Sequence, residues 1–344
     1  MRLPLVLNRA LAGLALLFLA LSPGIANAKT PTGPPQACRG TDMLEELKAA
    51  DPGTYQKILA DAAKVENGNA VLWKVEKPGI APSHLMGTMH VSDERITRLS
   101  PAMKAAIAGS KVVMLEIGET SDKATIAAIG RSAGLMLFRD GRRLDKMLGA
   151  DEFQKVKATL SRAGLPGEAA ALVRPWIVST LLAVSECERK NAEAGHAVLD
   201  SRIAQEAKAR KVKVAALETV DSQLAAMAAI PDEEQVEMLR AALKFADRSA
   251  DMLETLAQMY LKRQMGAAMP FNLALAAKAG VEPTAFSGFQ QQLLDKRNLG
   301  MFDKSRREVD KGSAFIAVGA LHLSGPTGLV KLYRDAGYTV TAVE

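Results

Sequence analysis

Four short apolar runs in this chain close on, or beside, a group able to bind a metal or move a proton. They are SHLMGTMH on His90, KVVMLE on Glu116, KVKVAALE on Glu218 and AFIAVGALH on His322. If the runs are neighbouring parallel strands, their carboxyl ends bring two imidazoles and two carboxylates to one rim, where open α/β sheets bind ligands. The chain has four histidines, and two of them end matching Gly-x-x-His turns, Gly87 to His90 and Gly319 to His322. Glycine there would tolerate the positive φ or the close backbone approach of a strand leaving the sheet.

Two neutral imidazoles with one or two carboxylates make a mixed nitrogen and oxygen site suited to Zn, Mn, Fe or Co. Such an ion lowers the pKa of water towards neutrality and so makes a nucleophile. Glu116 is the first choice for the carboxylate ligand, with Glu218 as general base or second ligand, and the two roles are exchangeable. Each group also has an ordinary reading, as a hydrogen-bonded strand-end histidine or a solvated strand-ending acid. A carboxylate held at the rim needs a partner, because an isolated buried charge is costly. Arg297, followed by Asn298 in a helix built for burial, could pair with it or bind an anionic group; the alternative is a surface arginine.

Other candidates read as structural. His84 begins its strand and should lie away from the rim, and His196 beside Gly195 reads as exposed ahead of a helix. Ser92 and Ser324 follow the two rim histidines without a Gly-x-Ser-x-Gly elbow, so they read as loop caps rather than nucleophiles. Met252 to Met269 reads as core-facing helix.

The elements that must position these groups can be read along the chain. Asp51-Pro52 and Ser100-Pro101 are N-cap and first-turn pairs. AVLWKVEK and SHLMG, separated by Pro78-Gly79 and Pro82, suggest a hairpin. The helix from Pro101 ends at Gly109 before KVVMLEI. From Thr120 to Asp310 the periodicity is helical, over 152–162, 175–190, 198–210 and 232–264, interrupted by KVKVAALE. AFIAVG, a helix started by Pro326 and stopped by Gly337, and the strand YTVTAV complete the chain. Both ends therefore read strand, Gly-x-x-His, Ser, loop, Pro-led helix, Gly, strand. The expected fold is α/β, with a central mixed or mostly parallel sheet built from two related halves and a large helical insertion, about 120–310, acting as a lid.

Residues 1–28 read as a secretory signal: Arg2 and Arg9, an apolar stretch from Leu11 to Leu21, and a cleavage site after Ala28. A retained anchor is the alternative, though the stretch is shorter than the roughly 20 apolar residues a span needs. Removal leaves about 315 residues, enough for one large core or two modest domains, and the expectation is a leader over 29–40 and a single domain over 41–344. The net charge of +6 falls by two with Arg2 and Arg9. With no basic block and few aromatics, nucleic-acid binding has no support. Cys38 and Cys187 are the two cysteines; in an oxidising compartment they favour a disulfide over two buried thiols, and without Cys-x-x-Cys a thiolate zinc site is excluded.

LMGTMHVSDERITRLSP, VVMLEIG, KVAALETVDSQLAAM, KRN and FIAVGALHLSGPTGLVKLYRDAGYTVTAV together resemble the TraB/GumN family, which includes the TIKI-type proteases and is distantly similar to erythromycin-esterase-like and ChaN-like proteins. The resemblance covers nearly the whole mature chain. It implies functional roles for His90, Glu116 and His322, with Arg297 and Asn298 as site neighbours, and marks Glu218 and Asp200 as family positions without an assigned role. It implies divalent-metal-dependent hydrolysis of peptide bonds. Joined to the signal segment and the rim residues, the expectation is a periplasmic or secreted hydrolase in which His90, Glu116 and His322 hold Mn, Zn or Co, Glu218 or metal-activated water handles the proton, and Arg297 stabilises an oxyanion or binds a substrate carboxylate. The alternatives are a peptide- or haem-sequestering protein using the same cleft, and metal-free hydrolysis with histidine as base.

Overall fold

The computed structural model describes residues 33–118 and 122–344. The expected signal segment, its cleavage site and the first part of the leader lie outside the described residues. Among the described residues, no helix is long and apolar enough to cross a membrane.

Six strands, β1 (Leu72–Lys77), β2 (Ile80–Thr88), β3 (Val112–Ile117), β4 (Lys213–Glu218), β5 (Ala314–Gly319) and β6 (Thr339–Ala342), form one sheet in the order β4-β3-β5-β2-β1-β6. β4, β3, β5 and β2 run parallel, while β1 is antiparallel to both β2 and β6. The four chemistry-bearing runs are therefore consecutive parallel strands. The fold is α/β with a mostly parallel mixed sheet and a large helical insertion. β1 and β2 form the expected hairpin, turned at Gly79 with φ +78°. Thr88 pairs with Gly319, so the two Gly-x-x-His turns leave adjacent strands side by side.

The strands read as near-continuous apolar runs because helices cover both faces. Val113, Leu115, Phe315 and Ala317 pack on one face with Ile107, Ile203, Tyr260 and Phe271. Val112, Met114, Ile316 and Val318 pack on the other with Met301, Val330 and Tyr333. Glu116 continues the Val112–Met114 row at period two, so it points towards the face covered by helix Lys296–Val309. A separate core (Ile129, Met136, Leu160, Trp176, Leu224 and Leu239 among its members) holds the helical insertion together.

Three expected helices differ. The 175–190 segment is two helices, Pro175–Ala183 and Glu186–Glu193, because Ser185 caps the second by accepting from Glu188 N–H. The 232–264 segment breaks into Asp232–Lys244 and Ser249–Leu261 around a short 3-10 turn. Pro326 does not open the last helix, which begins at Leu329 behind Gly328. Met259 and Met265 are buried, as the core reading of Met252 to Met269 requires.

Cys38 and Cys187 form a disulfide with Cα atoms 5.5 Å apart, closing a sequence separation of 149 residues. The leader is tied down from Gln36 onward. Gln36 exchanges hydrogen bonds with Asn191, and Thr41 N–H donates to Asp251. The disulfide also reaches the site. Glu188, next to Cys187, accepts from both the N–H and the hydroxyl of Ser92, and Asn191 Nδ2 donates to Ser92 Oγ. Ser92 thus pins the loop that carries His90, a capping rather than a nucleophilic role.

Candidate active site

The carboxyl ends of the four parallel strands meet helix Lys296–Val309 at one rim. Glu116 is buried near the end of β3. Its Oε1 accepts from Gly319 N–H at 2.6 Å, and its Oε2 from Arg297 Nη2 at 2.7 Å and Gln223 Nε2 at 3.0 Å. Glu218, the last residue of β4, accepts from Arg297 Nε at 3.1 Å, Arg297 Nη2 at 2.6 Å and Gln223 Nε2 at 3.2 Å. Arg297 is thus a clamp between the two carboxylates. Burial alone would lower its pKa, but Glu218 and Glu116 outweigh that and raise it.

Of the two readings of Arg297, pairing with a rim carboxylate is the one the structure shows. Arg297 directs Nε and Nη2 at carboxylates and Nη1 at Leu293 O, so most of its donors hold the rim itself. Glu218 is ion-paired with that guanidinium, which suits it to holding Arg297 in place.

The glycines are needed for close approach and not for positive φ. Gly319 has φ −50°, and a Cβ there would lie 3.2 Å from Glu116 Oε1. A Cβ on Gly87 would lie 2.9 Å from Ala320 Cα, in the partner turn. Each Gly-x-x-His glycine therefore lets the two turns, or a turn and the carboxylate, come together.

His322 is buried in the 3-10 turn Ala320–His322. Its Nδ1 is 2.6 Å from Asn298 Oδ1, while Asn298 Nδ2 donates to Thr327 O at 3.0 Å. Because that amide must point its NH2 at a carbonyl, Oδ1 is the acceptor facing the ring. His322 therefore carries its proton on Nδ1 and presents a lone pair at Nε2. Nε2 stands 3.7 Å from Glu116 Oε1. Burial pushes the His322 pKa down to about 4, so the ring is neutral at neutral pH.

His90 lies two residues beyond β2 with its side chain half exposed, and its Nδ1 is 2.8 Å from Asp200 Oδ2. Asp200, buried in the first turn of helix Leu199–Ala209, also accepts from Thr88 Oγ1 at 2.9 Å. The Asp200 charge raises the His90 pKa to about 9, against the lowering effect of burial; the solvent reaching the exposed part of the ring screens part of that attraction. For Glu116, burial pushes upward, and the surrounding positive charges and Gly319 N–H together hold it well below the carboxylate range. A charged His322 would contribute most to that lowering, but its ring is neutral at neutral pH, which leaves Arg297 and then His90 to supply it there.

An apolar cleft of about 370 Å³ opens from this polar rim into the helical insertion, with His90, Glu116, Asp200, Gln223 and Arg297 at one end. Of the expected site residues, the fold brings Glu116, Glu218 and Arg297 into one bonded network and sets the bonded pair Asn298–His322 against it, with His90 beside them on Asp200. His84 sits on β2 away from the rim and His196 in a turn ahead of Leu199. Gln223, which bridges both carboxylates, and the pairing of Asp200 with His90 escaped sequence reasoning. Both residues stand on amphipathic helices, where an acid or amide near the first turn looks like ordinary polarity.

The donor chemistry can be tested against the expected ion. Metal-binding histidines commonly hold the second ring nitrogen on a carboxylate or carbonyl, and both rim histidines do so, on Asp200 and on Asn298. His322 Nε2 and Glu116 Oε1, two acceptors facing each other, suit a shared cation. The residues fit as donors, but among the described residues no three His, Cys, Asp or Glu side chains already form a metal-holding cluster.

Comparison with known proteins agrees with the motifs. The TraB/PrgY/gumN family model matches residues 71–342, most of the chain and all six strands. The chain belongs to the TraB/PrgY/gumN family. No curated protein and no solved structure matches it.

Proposed function

We propose that this TraB/PrgY/gumN protein is an exported, divalent-metal-dependent hydrolase acting on peptide bonds at the mouth of the apolar cleft. One observation carries the reading. A buried, neutral imidazole nitrogen and an ionised carboxylate oxygen face each other 3.7 Å apart, and both are acceptors. Two such groups repel unless a cation or a proton lies between them. His322 Nε2 and Glu116 Oε1 are the paired donors, and His90 Nε2 is the third donor, on a ring whose other nitrogen is already anchored. Mn, Zn or Co suits this set.

When bound, the ion supplies Lewis-acid polarisation of the scissile carbonyl. The chain's own residues do the rest. Asn298 keeps the His322 proton on Nδ1, so Nε2 stays a donor of electrons. Asp200 orients His90 and favours its protonated form, so an ion binding there must displace that proton. Arg297 holds Glu116 ionised and, with Gln223, fixed, while Glu218 steadies Arg297. The disulfide supports an oxidising, extracytoplasmic location, periplasmic or secreted.

Purified exported protein should hold close to one Mn, Zn or Co per chain, and a His90→Ala, His322→Ala double variant should hold none. Peptide hydrolysis should stop on chelation and return when the ion is restored. Activity surviving exhaustive chelation would assign the chemistry to the histidines alone. A haem absorption band dependent on His90 or His322, with no turnover under any ion, would replace hydrolysis by sequestration.

A further inference from the structure

The cleft beyond the rim is built by two helix faces. Trp176, Thr180 and Ala183 stand at i, i+4 and i+7 on helix Pro175–Ala183, and Val220, Leu224 and Met227 repeat that spacing on helix Val220–Ala228. The polar hands of these walls are already committed: Thr180 Oγ1 donates to Trp176 O and the Trp176 indole N–H to Leu135 O. What faces the space is hydrocarbon, ring face and thioether. The apolar wall begins one residue from the chemistry, because Ile117 follows Glu116 and Leu224 follows Gln223.

We infer that this cleft is a specificity pocket that takes a large apolar side chain, Leu, Met or Phe, on the residue flanking the peptide bond presented to the rim. The inference rests on the hydrolase reading for the word "flanking", but the pocket's preference stands apart from any turnover. A cavity of about 370 Å³ equals the liquid volume of about a dozen waters, at about 30 Å³ each, so it admits one such side chain with part of its neighbour. A charged side chain entering its apolar part would lose its water and meet there no opposite charge, the charged groups of the lining lying at the rim. A flexible thioether at Met227 lets one wall adjust to branched or aromatic occupants.

The test uses full-length, chelated protein, so that binding is read without hydrolysis. The chain has two tryptophans, Trp73 and Trp176, and Trp176 lines the cleft. Capped tetrapeptides carrying a central Leu, Phe or Asp are titrated while tryptophan emission is followed, with Trp176→Phe identifying the signal and calorimetry confirming the affinities. Leu and Phe peptides should bind about ten-fold or more tighter than the Asp peptide. Ala183→Phe, a filling substitution at an exposed position, should weaken them by a similar factor. Met227→Ala should move the preference from Leu towards Phe. Equal binding of Leu and Asp peptides, indifference to Ala183→Phe, or tighter binding of laurate than of any peptide would overturn the proposal. Turnover without apolar preference would sink the pocket and leave the hydrolase; apolar binding without turnover would do the reverse.

Discussion

The two Gly-x-x-His turns end adjacent parallel strands in nearly matched register, yet their imidazoles meet opposite surroundings. His90 is half exposed, sits on the Asp200 carboxylate and favours its charged form; His322 is buried, sits on the Asn298 carboxamide and stays neutral. The local motif sets the path of the backbone, since both glycines serve close approach. The chemistry of each ring is then set by a helix arriving from elsewhere in the chain, Leu199–Ala209 for one and Lys296–Val309 for the other. The supports differ as well. The His90 loop is fastened through Ser92 and Glu188 to the helix carrying the disulfide, whereas His322 is fixed from within the core.

Glu116 touches the His322 side directly and feels the charge of His90, so its removal should have the largest effect. Glu116→Ala should lower peptide turnover by about 10²–10⁴-fold, measured as kcat/KM with the ion at saturation. A change of only a few fold would break the claim that the rim is the site.

Cys38→Ser should cost about 2–5 kcal/mol in urea unfolding. Because the bridge supports only the His90 side, the surviving folded protein should show a disturbed His90 resonance and an unchanged His322 resonance. Asp200→Asn and Asn298→Ala then separate the two anchors. Each should weaken metal affinity by about 10–100-fold without removing a donor, and only the first should lower the His90 pKa.

Stability against pH in the chelated protein sharpens the contrast further. The folded pKa of His90, about 9, lies above its ordinary 6.5, so its contribution is full below pH 6.5 and is lost as pH rises through 9. That of His322, about 4, lies below 6.5; the unfolded chain then binds more protons as pH falls from 6.5 to 4, and stability falls with it. His90→Ala should flatten the alkaline limb of the denaturation midpoint profile and His322→Asn the acid limb. A profile unaltered by either substitution would contradict the assignment.

The strands and their terminal groups were legible because β-branched and aliphatic runs bounded by Gly and Pro announce buried strands, and an ionisable residue closing such a run stands out. The rim's four principal groups came from that signal alone. The pairing of Arg297 with a rim carboxylate was legible too, but not its hold on two at once, since the sequence does not show that both strand ends reach the same guanidinium. Asp200 was marked as a family position without a role, and Gln223 lay unremarked inside the KVAALETVDSQLAAM motif. The breaks at Ser185 and around Ala246 were hidden because apolar periodicity continues across them. Gly319 was expected to allow a positive φ and a close approach, and only the second is used; what it approaches was hidden, a carboxylate 203 residues away in sequence.

The most direct measurement is a histidine-resolved NMR titration of the chelated protein, with its four imidazoles assigned by single substitutions. His90 should titrate near 9 and His322 near 4, the latter with its proton on Nδ1, and one equivalent of Mn-free Zn or Co should shift both resonances together. Two rim histidines that both titrate near 6.5, or that respond to the ion independently at different stoichiometries, would contradict a shared rim site.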